Sequence, residues 1–232
     1  MTNTVLITGA NRGIGLELVK RYLQDDEWQV IATCRHPENA VALKQLAESA
    51  PKRLNILPLE VTDSLSVRHL QEELAGTTID VLINNAGIYN DKGQKFGAIN
   101  YDNWAEAFNV NALGPMRVTE ALFDTLKRSK LAKIVTISSQ MGALSRAAKG
   151  SFAYRSSKAA INKAMHTLAC ELEDQNMVVA MFHPGWVQTD MGGSEAEITP
   201  TESADGLYKT ISGLTKADNG KFLKWNGDIH PW

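Results

Sequence analysis

VLITGANRGIGLELVKRYLQ, from Val5 to Gln24, is an apolar run that breaks into a glycine-rich turn and reopens as an amphipathic helix. Glycines stand at Gly9, Gly13 and Gly15. Without a Cβ the backbone can turn tightly and approach a ligand closely, and the first N–H groups of the new helix point at whatever lies in the turn. Strand, turn and helix in this order make Gly9, Asn11, Arg12, Gly13, Ile14 and Gly15 a candidate cradle for a pyrophosphate. The competing reading is an ordinary strand-to-helix turn.

Outward from this unit the same alternation continues. Short apolar runs at Thr4 to Thr8, Gln29 to Thr33, Asn55 to Leu59, Val81 to Ile83, Lys133 to Ser138, Val178 to His183 and Phe222 to Leu223 read as strands. Helical patterns lie between them at Gly13 to Gln24, Pro37 to Ala50, Ser64 to Leu74, Tyr101 to Ser129, Phe152 to Asp174 and Pro200 to Thr210. TPTE at Thr199 to Glu202 combines an N-cap threonine, an N1 proline and an N3 glutamate, a capping box. The expected architecture is α/β, one domain over residues 1–232: a doubly wound parallel sheet of about seven strands with helices on both faces and right-handed crossovers. The polar, glycine-bearing pieces Tyr89 to Asn100 and Gly192 to Glu197 follow strands, so they are expected to wall a crevice at the carboxyl ends of the sheet.

Charge narrows the partners. Lys+Arg 24 against Asp+Glu 26 gives a net charge of −2, which offers no bulk attraction to nucleic acid or to an anionic membrane. Cys34 and Cys170 are far apart and lack ligand spacing, so neither a disulfide framework nor a metal site is expected. With no basic leader and long apolar run ahead of the first strand, the expectation is a cytoplasmic protein acting on small molecules.

The second strand ends VIATCRHP, where an acidic side chain would hold the ribose hydroxyls of NAD. Cys34 and Arg35 stand there instead. A guanidinium at Arg35, with Arg12 in the glycine turn, suits a 2′-phosphate and favours NADP(H). The alternative is a pair of solvated surface charges.

In SFAYRSSKAAINKAMHTLACEL, Tyr154 and Lys158 are four apart at the start of a helical pattern and share one face. A phenol titrates near pH ~10, and a neighbouring ammonium is expected to lower that value and make the pair a proton-transfer device. A surface pair spaced so by chance is the bland reading.

With TGANRGIG at Thr8 to Gly15, NNAG at Asn84 to Gly87, NVNALGP with Asn111, ISSQMG with Ser139, YRSSK at Tyr154 to Lys158 and HPGWVQTDMGG from His183 to Gly193, the chain resembles the short-chain dehydrogenase/reductase family over most of its length. PGWVQTDMGG and the ending GKFLKWNGDIHPW are similar to the carbonyl-reductase-like branch that includes sniffer-type reductases and C-factor-type signalling proteins. The resemblance implies a Rossmann-type fold and an NADP(H)-dependent exchange between a carbonyl and a secondary alcohol. It implies a tetrad of Asn111, Ser139, Tyr154 and Lys158. Ser139 would hydrogen-bond the substrate oxygen, Tyr154 would act as acid or base, Lys158 would tune the phenol and hold the nicotinamide ribose, and Asn111 would fix a water leading to solvent. Further, Glu60 and Val61 would lie by the adenine, Asn85, Ala86 and Gly87 would line the cleft, Pro184, Gly185, Trp186 and Val187 would press on the nicotinamide, and Thr189 would bond its carboxamide.

Glu60 stands where the family usually has Asp, and the loop Gln140 to Ser151 is longer than usual. Ser138 is therefore kept beside Ser139 as the alternative hydroxyl. Trp186, Met191, Met141 and Tyr89 are candidate pocket walls. The family commonly dimerises through the helices around Tyr101 to Ser129 and Phe152 to Asp174, whose apolar faces equally suit a core. One rival function stays open, an NADP(H)-binding signalling or regulatory protein with little turnover; a Rossmann methyltransferase is disfavoured, since the glycine spacing and the Tyr154–Lys158 pair have no use there and no acid ends the second strand. His36 reads as a solvent-facing turn residue with contact to the adenosine phosphate as its alternative, and His183 as a structural strand end with substrate contact as its alternative; His69, His166 and His230 are assigned no function.

Overall fold

The computed structural model describes residues 2–232. One seven-stranded sheet runs through it in the order β3-β2-β1-β4-β5-β6-β7, every neighbouring pair parallel. The strands are β1 (Asn3–Thr8), β2 (Trp28–Cys34), β3 (Leu54–Pro58), β4 (Val81–Asn84), β5 (Ala132–Ile137), β6 (Met177–His183) and β7 (Phe222–Lys224). Their near-continuous apolar lettering follows from burial on both faces. In β1, Val5 and Ile7 face one apolar layer and Leu6 the other. The helices α1 (Gly13–Leu23), α2 (Val41–Ser49) and α8 (Pro200–Ser212) carry the first layer; α3 (Ser64–Glu73), α5 (Gly114–Ala121) and α7 (Phe152–Glu171) carry the second. Chain order reverses between β1 and β4, so a crevice opens at the carboxyl ends of these two strands.

Local chemistry sets the ends. α8 begins with the expected capping box, the Thr199 hydroxyl accepting from Glu202 N at 3.2 Å and the Glu202 carboxylate accepting from Thr199 N at 2.8 Å. Two helical expectations need correcting. Pro37 to Ala50 is not continuous: a short turn at Pro37–Asn39 stops at Ala40, whose ψ of 67° leaves helical space, and α2 starts afresh at Val41. Tyr101 to Ser129 is likewise broken, into α4 (Tyr101–Phe108), a wide π turn (Asn109–Leu113), α5 and the short α6 (Phe123–Leu126). Pro115 lies one helical turn after Asn111 and has no N–H to give its carbonyl, which favours the widening at this point. α7 ends at Glu171, three residues short of the expected Asp174. No helix among the described residues is long and apolar enough to cross a membrane.

Candidate active site

The glycine turn is shaped by contacts that only hydrogen permits. Gly9 and Gly13 hold φ of 64° and 54°, left-handed values that favour glycine. Gly15 is different: a Cβ there would stand 2.5 Å from the Gly9 carbonyl oxygen and 2.6 Å from Asn85 Nδ2. That amide donates to Thr8 O at 2.9 Å and Gly9 O at 3.1 Å, while Thr8 Oγ1 accepts from Asn85 N and Ala86 N, both at 3.0 Å. The ends of β1 and β4 are thus laced together under the turn. Gly15→Ala is expected to weaken NADPH binding about tenfold to a hundredfold through forced overpacking, measured by titration of protein fluorescence. Unchanged affinity would show that the turn yields freely.

A cleft of about 810 Å³ opens above this lacing. Its wall includes Gly9, Asn11, Arg12, Gly13, Ile14 and Gly15 on one side, and Arg35, Glu60 and Val61 beyond them. Asn85, Ala86, Gly87, Tyr154, Lys158, Pro184 and Thr189 complete it from the sequence-predicted set. β2 ends without a carboxylate, as expected. Arg35 extends into solvent with its Nη1 4.0 Å from Glu60 Oε2, and Glu60 is held by Thr62, whose N and Oγ1 donate to it at 3.0 and 2.8 Å. Arg12 pairs loosely with Asp190 at 3.3 Å, both ends exposed.

Gly185, Trp186 and Val187 do not line the cleft. Gly185 turns the chain with φ of 93°, Val187 is buried, and Trp186 lies half out in solvent with its indole N–H donating to Gly192 O at 2.9 Å. The indole fastens the loop after β6 instead of filling the pocket.

The tetrad residues come from three segments: the π turn, the end of β5 and α7. α7 starts at Phe152, after Ser151 in a left-handed conformation (φ 52°). Buried Asp91, from the loop after β4, accepts from Ala153 N at 2.7 Å and Tyr154 N at 3.3 Å. A carboxylate there satisfies two of the orphan N–H groups of the first turn and opposes the helix dipole. It thereby fixes where Tyr154 enters the site. The Tyr89 ring stacks on Tyr154 at 4.4 Å between centroids, and its hydroxyl shares a 2.6 Å hydrogen bond with Ser151 Oγ. One turn on, Lys158 Nζ donates to Ile137 O at 2.9 Å and lies 5.7 Å from the Tyr154 ring centroid.

Asn111 sits inside the π turn, 1% exposed. Its Oδ1 accepts from Ile88 N at 2.8 Å, and its Nδ2 donates to Ile88 O at 2.9 Å and Ser157 Oγ at 3.0 Å. A Cβ on Gly87 would lie 3.2 Å from that Oδ1 and 3.5 Å from Lys158 Nζ, so glycine leaves the amide and the amine close together. Ser139 Oγ accepts from Met141 N at 3.1 Å and lies by the Tyr154 phenol. Of the two serines, Ser138 contributes to the cleft wall but keeps its buried hydroxyl unpartnered, whereas Ser139 acts on Tyr154.

Burial decides the titration of this group. It pushes the Tyr154 phenol up to about 12, the Ser139 hydroxyl pulling it back and Tyr89 adding to the rise. It brings the Lys158 ammonium down to about 8. Tyr154 thus moves opposite to the lowering expected from its spacing to Lys158, because loss of water leads both shifts. His183, behind the site, falls to about 4 through burial and then through His230, Arg146 and Lys224. Asp91, Ser157 and Ser151 were not singled out in the sequence. Ser157 could have been found from its position three residues after Tyr154, since its hydroxyl donates to Tyr154 O at 2.9 Å. No cluster of metal ligands occurs among the described residues.

The model of the short chain dehydrogenase family matches residues 3–199. C-signal of Myxococcus xanthus is 39% identical over 155 residues, 66% of this chain and 93% of its own. The NADPH-bound carbonyl reductase from chicken fatty liver superposes with a TM-score of 0.92 at 34% identity, covering 100% of this chain and 99% of its own. Carbonyl reductase Sniffer of D. melanogaster superposes with a TM-score of 0.95 at 32% identity, covering 100% of both chains.

Proposed function

The chain belongs to the short chain dehydrogenase family of oxidoreductases, and we propose that it is an NADP(H)-dependent enzyme interconverting a carbonyl and a secondary alcohol. The carrying observation is that Tyr154 and Lys158 line a cleft floored by the glycine turn, with Ser139 beside the Tyr154 phenol and Asn111 bonded to Ile88 and Ser157 just behind them. The residues fit a phosphorylated dinucleotide. A cradle that a single Cβ would fill would hold the pyrophosphate, and Arg35 at the end of β2 and Arg12 in the glycine turn, which both line the cleft, would meet a 2′-phosphate.

In the reductive direction Ser139 donates a hydrogen bond to the carbonyl oxygen as charge grows on it. Tyr154 gives its phenolic proton to the same oxygen. A phenol held near 12 stays protonated at neutral pH, the form reduction requires. Lys158, one turn away, stabilises the phenolate left behind, and Asn111 holds the Ile88 backbone and the Ser157 hydroxyl so that the amine keeps its place. When bound, NADPH supplies the hydride.

The test is consumption of NADPH, followed by absorbance, across aldehydes, ketones and quinones. C-signal gives a specific reason to keep a signalling reading in view. Tight NADPH binding with no turnover across the whole panel would select that reading. Arg35→Asp is expected to weaken NADPH about tenfold to a hundredfold, the loss of one or two charge-assisted hydrogen bonds, and to leave NADH nearly unchanged. Equal effects on both dinucleotides would remove Arg35 from the phosphate site.

A further inference from the structure

The chain enters α7 by a strained route. Gly150 and Ser151 follow one another at φ of 72° and 52°, and Ser151 is the only residue other than glycine with positive φ among those described. Such a conformation persists where its surroundings hold it. As the N-cap of α7, Ser151 would ordinarily offer its hydroxyl to the N–H groups of the first turn. It makes no such bond, and the hydroxyl is shared with Tyr89 at 2.6 Å. The cap comes instead from Asp91, 62 and 63 residues before its two donors, with Oδ2 accepting from Ala153 N and Oδ1 from Tyr154 N. Asp91 is buried and, among the described residues, takes part in no ion pair. Only main-chain N–H groups and the positive end of the helix dipole meet its charge, a costly way to close a helix if closing it were the whole purpose.

Asp91 is the last of four consecutive residues that each hold a different part of the site. Ile88 exchanges two hydrogen bonds with the Asn111 amide, at 2.8 and 2.9 Å. Tyr89 stacks on Tyr154 and bonds Ser151. Asn90 O accepts from Asn103 Nδ2 at 2.9 Å, and the Asn90 amide donates to Asn103 O at 3.0 Å and to Glu106 Oε2 at 2.7 Å, which ties the segment to α4. The residues just before them, Asn85, Ala86 and Gly87, line the cleft, as does Ile88. One continuous strap therefore runs from the cleft wall to the first turn of the helix that carries Tyr154 and Lys158.

We propose that Asp91 is a positioning residue of the reaction: without touching the reactants, its carboxylate pins the first turn of α7 to the cleft wall and so sets where the Tyr154 phenol meets the substrate oxygen. The inference rests on the enzyme reading above and adds a residue to it. Proton transfer needs its donor within hydrogen-bond reach of the acceptor, and a misplacement of about 1 Å caused far from the chemistry lowers a rate on the order of a hundredfold. Tyr154 N is itself one of the groups that Asp91 holds, so a loosened cap is felt directly by the phenol. Lys158, one turn on, keeps a second anchor in Ile137 O.

The experiment follows NADPH absorbance with whichever aldehyde, ketone or quinone the wild type reduces fastest, rates being taken per NADPH-binding site counted by fluorescence titration. Asp91→Ala is expected to lower kcat about thirtyfold to a hundredfold, with KM and the NADPH dissociation constant within about threefold of wild type. Asp91→Asn keeps one oxygen for the Ala153 N–H and should recover most of this, leaving a loss of about fivefold to tenfold. A double-mutant cycle separates positioning from folding: in the Tyr154→Phe background either change should move the single-turnover rate less than about twofold, because the phenol whose place Asp91 sets is gone. Should Asp91→Ala fail to bind NADPH, the same cycle is read from Asp91→Asn. Wild-type kcat in the variants, or a loss of equal size with and without Tyr154→Phe, overturns the inference and leaves Asp91 a cap alone, while the enzyme reading stands. A wild type that binds NADPH and reduces no carbonyl of the panel removes the enzyme reading and the inference with it.

Discussion

Tyr154→Phe is expected to lower kcat about a thousandfold or more while NADPH binds with nearly its original affinity. The substitution removes one oxygen from a ring that keeps its stack on Tyr89, and it leaves untouched the Asp91 carboxylate that fixes the start of α7 through main-chain N–H groups. Folding and the cradle at Gly9 to Gly15 do not depend on that oxygen. What disappears, on the proposed mechanism, is the proton that the substrate oxygen would receive, along with the phenol that lies by Ser139. Single-turnover absorbance of bound NADPH, with dissociation constants measured in parallel, checks both halves. Turnover within tenfold of the original would mean that another group, such as water, delivers the proton.

Lys158→Met combines two effects of opposite sign. Turnover should fall about a hundredfold to ten-thousandfold, because the phenolate loses the cation beside it. The folded state, however, should become more stable at neutral pH. Burial holds Lys158 near 8 against 10.5 for the free side chain, so at pH 7 the protein maintains an ammonium that its surroundings disfavour. The sign follows from proton counting. Between about pH 8 and 10.5 the unfolded chain binds a proton at this position that the folded chain has released, so wild-type stability rises with pH across that interval. Tyr154 acts in the other direction, but only above the free-phenol value of 10.0, leaving pH 8 to 10 as the clean window. The gap between the urea midpoints of Lys158→Met and wild type should therefore be wide at pH 7 and narrow by pH 10. A gap of constant width would mean that the amine is better solvated than its burial implies.

Much of this could be read from letters alone because the features are local. A glycine that must lack a Cβ is visible as a glycine, and a tyrosine and lysine one turn apart on a strongly patterned helix share a face in any fold that keeps the helix. The alternation of strand and helix likewise placed all seven strands within a few residues of where they lie. Asp91 was out of reach for the opposite reason: its partners are 62 and 63 residues away, and nothing near it in sequence marks it as the cap of α7. The direction of the Tyr154 shift was missed because spacing reports a neighbouring charge but not the loss of water around both. The resemblance implied that Trp186 presses on the nicotinamide, whereas its ring is half exposed and its indole N–H donates to Gly192 O, an arrangement that no letter near the tryptophan announces.

The widened turn at Asn109–Leu113 also sets a limit on what the chain can lose. One surplus residue is accommodated there, and each residue of a helix accounts for roughly 100° of rotation about its axis. Deleting any one of the five would let the turn close into regular helix and swing α4 around relative to α5, carrying Trp104 off the Ser156 hydroxyl it now holds at 2.9 Å and parting the Asn111 amide from Ile88. In this segment, then, length is itself under constraint: a deletion that removes no functional side chain would disable the site as surely as erasing Asn111.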